Sequence, residues 1–396
     1  MGQIEDQTSL LKNDLIIYCI TNKIIVSTNN SFDKFLQEKL DERKANGLLR
    51  SLVSYNDKID FSSNDYLGFT QLPQLKQIHN TLPSGSTGSR LITGNPSLAE
   101  ETEKIIADFH HAEAALIFNS GYCANVGLFS CIANKGDTLI TDEFIHASII
   151  DGARLSHANR YKFKHNSIED LEKKLQQASG KKIVTVESIY SMDGDEAPLK
   201  DIVAVCKKYD AILIVDEAHA IGVFGDKGQG LVCKYNLQKE VFACIYTFGK
   251  ALGLHGAVIT GSNTLRNYLI NHARAFIYTT APPPHIYLQI QEAYKLLPTA
   301  NRKTLLELID HYKTVVGEIK NISFIESNSA IQTIIIGDNN KAKDLANHLV
   351  EKGFFAKAIL SPTVPAGTER LRICLHSFNT SVQIDSLLQE VNTFLS

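Results

Sequence analysis

The sequence lacks a strong excess of either charge. Its 396 residues include 40 basic and 43 acidic side chains, which gives a formal net charge of -3 at pH 7. Nucleic acids and anionic membranes attract basic surfaces, so the composition gives no reason to expect such a partner. With 44% hydrophobic residues, the chain has enough material for a large core and for about two domains, since domains usually contain roughly 100–200 residues.

The sequence also lacks paired cysteines and long apolar segments. Its seven cysteines are scattered and never form a C-x-x-C pair, which argues against a disulfide framework or a zinc knuckle. The N-terminal apolar runs LIIYCI and KIIV are interrupted by TNK and are far too short to span a bilayer. We therefore expect a soluble protein of the reducing cytoplasm that is neither exported nor bound to a membrane.

Two nucleotide-binding motifs are missing as well. The run AILIVD ends in Asp216-Glu217-Ala218-His219, which spells the DEAH box of ATPase helicases, but no G-x-x-x-x-G-K-[ST] phosphate loop accompanies it. Neither GSTGSR (85–90) nor GDKGQG (225–230) fits the G-x-G-x-x-G pattern of dinucleotide-binding folds. A DEAH-type ATPase remains a remote alternative, and a nicotinamide enzyme is disfavoured.

Between residues 85 and 285, apolar strand-like runs alternate with segments long enough for helices. Short buried strands separated by helices are typical of a mostly parallel sheet that is covered on both faces. The runs that predict strands are AALIFN, TLIT, KIVTVE, AILIVD, FACIYT and AVITG.

Prolines mark a boundary after this region. The run Pro282-Pro283-Pro284 interrupts any regular element, and the helices and strands predicted beyond it form a smaller α+β domain. We predict an N-terminal segment with a helix (1–62), a large domain (63–285) and a small C-terminal domain (286–396).

Three local patterns predict individual elements. Two apolar runs within residues 1–30 predict a hairpin. Apolar side chains at helical spacing predict a helix from Ser31 that stops near Gly47. The pattern Ser97-x-x-Glu100 is typical of a capping box at the start of the next helix.

One lysine has unusual surroundings. Lys250 lies in YTFGKALGLHGA, just after the predicted strand FACIYT. A loop lysine is most often a solvated surface charge, but Thr247 and Gly249 make this turn tight enough to approach a ligand. A desolvated lysine has a lowered pKa and becomes a Schiff-base nucleophile. We therefore interpret Lys250 as a candidate nucleophile for an aldehyde cofactor.

Pyridoxal 5′-phosphate needs a lysine, a carboxylate for its ring nitrogen, phosphate donors and a group against the ring. Asp216 precedes Lys250 by one strand-helix-strand unit, and His146 follows the run TLIT. The turn Asn119-Ser120-Gly121-Tyr122 opens a predicted helix, whose first N–H groups favour phosphate. Each residue alone has a structural explanation at least as good, as a helix cap, a core polar group or a loop acid. Their combination favours the cofactor.

Nine segments, taken in order, resemble the α-oxoamine synthases. These are fold-type-I pyridoxal-phosphate enzymes that join an amino acid to an acyl thioester with loss of CO₂. The segments are FSSNDYLG, GSTGSRLITGN, NSGYCAN, HASIIDGARLS, SMDGDEAPL, VDEAHAIGVFG, TFGKALG, TTAPPP and RLRICLH. The resemblance runs from about Phe32 to the C-terminus. It implies an α/β fold with a mostly parallel central sheet in a large cofactor-binding domain, a smaller C-terminal α+β domain and an obligate homodimer with shared active sites.

The resemblance also implies roles for individual residues. Lys250 would hold the cofactor and act in catalysis with Asp216, which would pair with the ring nitrogen, and with His146, which would stack on the ring. His219 would contact the phenolic oxygen, and Thr280 would reach the phosphate of the neighbouring subunit. The implied cofactor contacts are Gly121, Tyr122, His146, Ser191, Asp216, His219, Thr247, Lys250 and Thr280. The implied substrate contacts are Arg50, Asn64, His146 and Arg372, with no metal site.

Two segments favour one branch of the family. TFGKALGLHGA and RLRICLHSFNT most resemble the member that condenses L-alanine with a pimeloyl thioester in biotin synthesis. Members that use glycine or serine remain alternatives, and the acyl carrier, coenzyme A or a carrier protein, stays open. Arg372 would grip the amino-acid carboxylate, a task that suits a bidentate guanidinium. One departure is GNPSLAEE, where the family commonly has a histidine.

Overall fold

The computed structural model describes residues 31–55, 57–76, 82–320 and 322–396. The hairpin predicted within residues 1–30 lies outside this range. By its internal contacts the chain divides into a unit that ends at Tyr55 and a unit that comprises Asn56–Ser396. In the first unit, helix α1 spans Ser31–Ala45 and is followed by Gly47 at a φ of 63°, so the predicted helix is confirmed.

The second unit contains a seven-stranded central sheet in the order β2-β8-β7-β6-β5-β3-β4. Strand β8 runs antiparallel to β2 and β7, and the other neighbouring pairs are parallel. The strands are β2 (Ala114–Phe118), β3 (Thr138–Asp142), β4 (Asn159–Phe163), β5 (Lys182–Glu187), β6 (Ala211–Asp216), β7 (Ala243–Thr247) and β8 (Ala257–Gly261). A short parallel pair joins β1 (Ile59–Asp60) to β11 (Phe354–Phe355).

All six strands predicted for the central sheet are confirmed. The prediction missed the edge strand β4, because its sequence NRYKF is polar and only Phe163 is buried there. Edge strands often carry charges of this kind, since charged side chains discourage pairing with other chains.

The helices of the described residues lie before, between and after these strands. They are α1, α2 (Pro73–Lys76), α3 (Ser97–Phe109), α4 (Gly121–Phe129), α5 (Ala147–Leu155), α6 (Ile168–Gln177), α7 (Leu199–Lys208), α8 (Leu231–Lys234), α9 (Asn263–His272), α10 (Arg274–Ile277), α11 (Pro284–Leu296), α12 (Arg302–Glu318), α13 (Asn339–Glu351) and α14 (Ser381–Leu395).

Alternate residues of the central strands face two different hydrophobic cores. In β6, Leu213 and Val215 lie in one core, whereas Ile214 lies in the other. Helices α3, α6 and α7 contribute side chains to the first core, and α4, α5 and α9 contribute to the second. The sheet is therefore covered on both faces, as the alternation of strands and helices predicts.

Helix α3 corrects one local prediction. Ser97 is its first helical residue rather than a cap, because Pro96 with extended backbone occupies the cap position, and no side chain caps this helix. Glu100 instead accepts a hydrogen bond from Asn95 Nδ2 at 3.1 Å. A capping box does occur in α14, where Thr380 and Gln383 bond each other's backbone N–H groups.

A second sheet lies in the C-terminal part of the chain. Its strand order is β12-β13-β10-β9, and every neighbouring pair is antiparallel. The strands are β9 (Ser323–Ile325), β10 (Ile331–Ile335), β12 (Lys357–Ile359) and β13 (Arg370–Cys374). Helix α11 begins at Pro284, directly after Pro283, which agrees with an interruption there. The domain boundary near residue 285 stays a prediction.

The sequence predicts cysteines without disulfide bonds and no segment that spans a membrane, and the described residues bear on both predictions. The six cysteines among them are free thiols. None of the described helices has both the length and the apolar character needed to cross a membrane.

Candidate active site

Four strand ends bring polar side chains to one edge of the central sheet. Strands β3, β5, β6 and β7 are parallel, so their last residues Asp142, Glu187, Asp216 and Thr247 lie at the same edge. Glu187 and Asp216 are direct neighbours in the pairing of β5 with β6. We call this the carboxyl edge, which is where open α/β sheets bind their ligands.

Lys250 lies in the turn that follows β7 at the carboxyl edge. Its Nζ is 2.8 Å from His219 Nε2. Burial lowers the pKa of Lys250 to about 8, although the nearby carboxylates of Asp216 and Glu187 oppose the shift. A sizeable fraction of this amine is therefore uncharged near neutral pH, as a nucleophile requires.

A directed series of hydrogen bonds leads away from Lys250. Burial holds the pKa of His219 well below its ordinary value, so the ring is neutral and its Nε2 accepts from Lys250. His219 Nδ1 lies 2.7 Å from the hydroxyl of Tyr66. That hydroxyl in turn donates to Asn64 Oδ1 at 3.0 Å, which requires His219 to carry its proton on Nδ1.

Arg372 stands at the other end of this series. It lies on β13, in the second sheet, and its Nη2 donates to Asn64 Oδ1 at 3.1 Å. Its Nε donates to the carbonyl of Ser191 at 2.8 Å, and its Nη1 donates to Cys374 Sγ at 2.9 Å. Arg372 is 8% exposed as a residue, and its guanidinium is held at three points, which fixes its plane.

Asp216 is held in one orientation by two donors. Its Oδ2 accepts from Asn125 Nδ2 at 3.0 Å, and its Oδ1 accepts from the N–H of Ala218 at 3.0 Å. Asn125 belongs to α4 and is itself buried. The helix therefore positions the carboxylate that the sequence predicts as the partner of a ring nitrogen.

Glu187 is a buried acid that the sequence analysis missed. Burial, together with the charge of Asp216, raises the pKa of Glu187 to about 8. Its Oε2 accepts from the N–H of Ser191 at 3.1 Å, whereas Oε1 has no partner among the described residues. The same signal that identified Asp216, an acid at the end of a buried strand, could have identified Glu187 at the end of KIVTVE.

The turn before α4 is shaped by two close approaches. Ser120 caps the helix by accepting from the N–H of Cys123. A Cβ on Gly121 would lie 2.6 Å from Thr247 Cγ2, so a larger residue would force the Thr247 side chain at the end of β7 to move. This packing leaves the first N–H groups of α4 at the carboxyl edge, where a phosphate would be bound.

The remaining predicted residues are less enclosed. His146 is exposed and caps α5, and its Nδ1 lies 2.6 Å from Ser148 Oγ. Tyr122 is half exposed and donates to Asp151 Oδ2 at 2.6 Å. Thr280 is exposed, with its carbonyl bonded by Asn119 Nδ2. Arg50 is exposed and belongs to the first unit, so its substrate role stays a prediction.

A family model for aminotransferases of class I and II matches residues 56–391 of this sequence. The chain belongs to this family. Pyridoxal 5′-phosphate is the cofactor of the class I and II aminotransferase family, so the predicted cofactor is confirmed at the level of the family.

Individual relatives indicate which members of the family this chain resembles. The 8-amino-7-oxononanoate synthase of Emericella nidulans is 40% identical, over 91% of this chain and 95% of the relative. Among solved structures, the serine palmitoyltransferase of Sphingomonas wittichii matches with a TM-score of 0.85 and 29% identity, over 93% of this chain and 98% of that one. The 8-amino-7-oxononanoate synthase of Francisella tularensis matches with a TM-score of 0.77 and 31% identity, over 86% and 98%. The resemblance and the fold class predicted from the sequence are confirmed.

The side chains at the carboxyl edge have the chemistry that pyridoxal 5′-phosphate requires. The site provides a lysine with a lowered pKa, a fixed carboxylate and a helix that begins with a closely packed glycine. Two buried polar atoms of this region, Glu187 Oε1 and Asn125 Oδ1, have no partner among the described residues and could accept a hydrogen bond from a bound group.

Membership of this family leaves the DEAH letters without an ATPase role. Both carboxylate oxygens of Glu217 are committed within the fold. Oε2 accepts from Ser188 Oγ and the N–H of Leu231, and Oε1 accepts from the N–H of Val232. Glu217 therefore fixes the start of α8, whereas its neighbour Asp216 is bonded by Asn125 and Ala218 at the carboxyl edge.

Proposed function

We propose that this protein condenses L-alanine with a pimeloyl thioester to give 8-amino-7-oxononanoate, CO₂ and the free thiol, a step in biotin synthesis. The observation that carries the proposal is the hydrogen-bonded series from Lys250 through His219, Tyr66 and Asn64 to Arg372. It sets a reactive amine opposite a guanidinium, an arrangement that suits an α-amino acid. The names of the relatives at 37–40% identity support 8-amino-7-oxononanoate as the product.

Arg372 is suited to the carboxylate of the amino acid. Its three observed bonds use one hydrogen on each guanidinium nitrogen. Each terminal nitrogen carries two hydrogens, so one N–H on Nη1 and one on Nη2 remain to bind a carboxylate. A fork of two parallel N–H donors matches the two oxygens of a carboxylate.

Lys250 would act on the Cα proton of the amino acid, and Asp216 would act on the ring nitrogen of the cofactor. When bound, pyridoxal 5′-phosphate supplies an electron sink for the pair left behind when a bond to Cα is broken. Lys250, whose amine has a pKa near 8, removes the Cα proton and later returns it, since a base of that pKa is well matched to neutral pH. Asp216, fixed by Asn125 and Ala218, would hold the proton on the ring nitrogen.

The phosphate and the ring face would be held by the other predicted residues. The N–H groups of Gly121 and Tyr122 at the start of α4, with Ser191 and Thr247, would bind the phosphate or the ring substituents. His146, at the start of α5, would lie against the ring. We also propose a cytoplasmic homodimer in which Thr280 serves the neighbouring site. The exposure of Thr280 supports that part, and light scattering of the purified protein tests the dimer.

The test is a matrix of substrates. The enzyme is supplied with pyridoxal 5′-phosphate and incubated with L-alanine, glycine or L-serine, and each amino acid is combined with pimeloyl, acetyl or palmitoyl coenzyme A. Product masses and released CO₂ are measured. We expect turnover with alanine and the pimeloyl thioester at least about tenfold above any other pair. Preferential turnover of another pair would overturn the proposed substrates.

A second candidate rests on likeness of fold alone and is supported less well than the first. The serine palmitoyltransferase structure matches with a higher TM-score than the 8-amino-7-oxononanoate synthase structure, 0.85 against 0.77. Condensation of serine with a long acyl thioester is therefore the alternative, and members that use glycine follow it. The same matrix separates these candidates. A parallel assay with pimeloyl carrier protein decides which carrier the enzyme accepts.

A further inference from the structure

A histidine outside the site described above lies between two carboxylates. His165 Nδ1 is 3.0 Å from Asp142 Oδ1, and His165 Nε2 is 2.7 Å from Asp195 Oδ2. A carboxylate is an acceptor only, so each ring nitrogen must carry a hydrogen to bond it. The geometry therefore requires an imidazolium, which ion-pairs with both acids at once. We call these three residues the His165 bridge.

Two rings, one further acid and one amide surround the His165 bridge. The amide nitrogen of Asn166 lies 3.3 Å from His165 Nε2 and competes with it for Asp195. Asn166 follows His165 in the chain, and its Nδ2 shares the acceptor Asp195 Oδ2 at 2.7 Å. Glu143 Oε1 accepts from the backbone N–H of His165 at 2.9 Å. The ring of Tyr190 packs edge-on at 4.5 Å and that of Phe144 lies at 4.6 Å between centroids. No lysine or arginine forms an ion pair with either acid among the described residues.

The two acids belong to different segments of the active site. Asp142 ends β3, and its Oδ1 also accepts from the N–H of Phe144 at 2.8 Å, which shapes the turn that leads to His146. Asp195 closes a turn with Tyr190, whose N–H donates to the carbonyl of Asp195 at 3.0 Å. Ser191 lies inside that turn. Each acid thus holds one segment, and His165 joins the two.

The turn around Ser191 continues to the substrate arginine. The carbonyl of Ser191 accepts from Arg372 Nε at 2.8 Å, and Asp193 forms a buried ion pair with Arg370 on the same strand. A shift of this turn would therefore move the acceptor that sets the direction of the Arg372 guanidinium.

We propose that His165 is a positioning residue for the reaction: its cation holds the turns of His146 and Ser191 together and, through the Ser191 carbonyl, fixes Arg372 for the amino-acid carboxylate. This inference rests on the proposed function only in assigning the carboxylate to Arg372. His165 itself contacts neither substrate nor cofactor. A bridge of this kind acts on amino-acid binding more than on the acyl thioester.

The positive charge of the His165 bridge also depends on pH and is lost under alkaline conditions. Partial burial disfavours the charged ring, but the two carboxylates outweigh it and raise the pKa of His165 to about 9. The cation is thus complete at neutral pH and is lost as the pH rises through about 9, after which one ring nitrogen faces a carboxylate without a hydrogen.

The experiment compares the holoenzyme variants His165→Gln and His311→Gln. His311 provides the matched control, because its Nε2 also bonds a carboxylate, Asp385 at 2.7 Å, on an exposed face. The dissociation constant of L-alanine is measured from the change in cofactor absorbance, and KM for the thioester is measured in turnover. We expect His165→Gln to weaken alanine binding by about tenfold and to change the thioester KM less than about twofold. His311→Gln should change neither.

An alanine dissociation constant within twofold of wild type in His165→Gln would overturn the proposal. Equal losses for both substrates would also overturn it, since they would indicate a merely structural role. If the enzyme proves to use glycine or serine, the same comparison is made with that amino acid, so failure of the proposed substrate and failure of the positioning role are distinguishable.

A second measurement follows the ring directly. Histidine labelled with ¹³C at Cε1 gives one resonance that His165→Gln removes, and this resonance should titrate near pH 9. Asp195→Asn deletes one of the two carboxylates, so it should move that titration and the alkaline loss of alanine binding to lower pH. A His165 resonance that titrates at the ordinary value of about 6.5 would contradict the bridge.

Discussion

Two of the places where the described residues bury charge differ in how completely the charges are paired. On one flank of the central sheet, Glu103 Oε1 accepts from Arg90 Nη1 at 2.8 Å and from the N–H of Ile117 at 2.9 Å, and Glu103 Oε2 accepts from Arg266 Nη2 at 3.0 Å. At the carboxyl edge, the described residues include no ion-pair partner for Lys250, and Glu187 Oε1 has no hydrogen-bond partner among them. We call Arg90, Glu103 and Arg266 the flank cluster. Lys250, Asp216 and Glu187 form the edge cluster.

The difference shows how the same residue types serve stability or chemistry. In the flank cluster both carboxylate oxygens of Glu103 are bonded by charged or backbone donors, so nothing remains to bind a ligand. In the edge cluster burial is not balanced by local pairing, so the pKa of Lys250 falls to about 8 and that of Glu187 rises to about 8. Incomplete pairing holds these groups near the pH at which proton transfer is useful.

The largest expected effect comes from removing the amine of the edge cluster. Lys250→Ala should lower turnover by at least about 10⁴-fold, because it deletes the proposed covalent anchor of the cofactor and the proposed proton-transfer group together. Product mass and the visible spectrum of the purified variant are measured. Lys173→Ala, on the exposed face of α6, provides the control and should retain wild-type turnover. A Lys250→Ala enzyme with turnover near wild type would refute the role of the edge cluster.

Asp216→Asn should follow with a loss of turnover of about 10²–10⁴-fold. The amide retains the shape and a hydrogen bond but cannot hold a proton on the ring nitrogen by charge. Cofactor binding should persist, which separates this variant from Lys250→Ala. Exchange of the alanine Cα hydrogen in D₂O, followed by NMR, measures the affected step, and wild-type exchange would count decisively against the assignment.

Breaking the flank cluster should affect stability instead. Glu103→Gln leaves the buried guanidinium of Arg90 without its carboxylate, whereas the partly exposed Arg266 keeps Glu100 as a partner. The change should lower the free energy of unfolding by about 3–5 kcal/mol. Urea unfolding of the variant measures it, with Glu169→Gln on α6 as an exposed control that changes little. At a temperature where the variant is folded, kcat and KM should remain within about twofold of wild type. A selective loss of turnover without a loss of stability would erase the distinction between the clusters.

The smallest effect is a shift in pH dependence within the edge cluster. Uptake of pyridoxal 5′-phosphate by the apoprotein needs the uncharged amine of Lys250, so its rate should rise with pH through about 8. The Glu187 carboxylate raises the pKa of Lys250, and Glu187→Gln should therefore move this rise to lower pH by less than about one unit. Stopped-flow absorbance measures the rate. A rise that stays in place or moves to higher pH would show that Glu187 does not act on Lys250.

Much of the edge cluster was accessible from the sequence. Lys250 and Asp216 each lie at or just after the end of an apolar run that forms a central strand, and parallel strands bring such ends together. Glu187 also ends an apolar run that forms a central strand, but no recognised motif surrounds it, so it was not predicted as a site residue. The flank cluster had no signal at all, since Arg90, Glu103 and Arg266 lie on separate segments and are joined only by packing.

The sequence by itself determined the alternation of strands and helices, the family, the cofactor and the residues that end at the carboxyl edge. These follow from local apolar patterns and ordered motifs, which the chain carries whatever its final packing. Only the tertiary structure decided that Arg372, on a different sheet, meets Asn64 and Ser191. It alone decided that His165 lies between two acids and that Glu217 supports a helix while Asp216 is held by Asn125. Such contacts join segments distant in the chain, and they exist only once burial has removed the water that would otherwise satisfy each polar group.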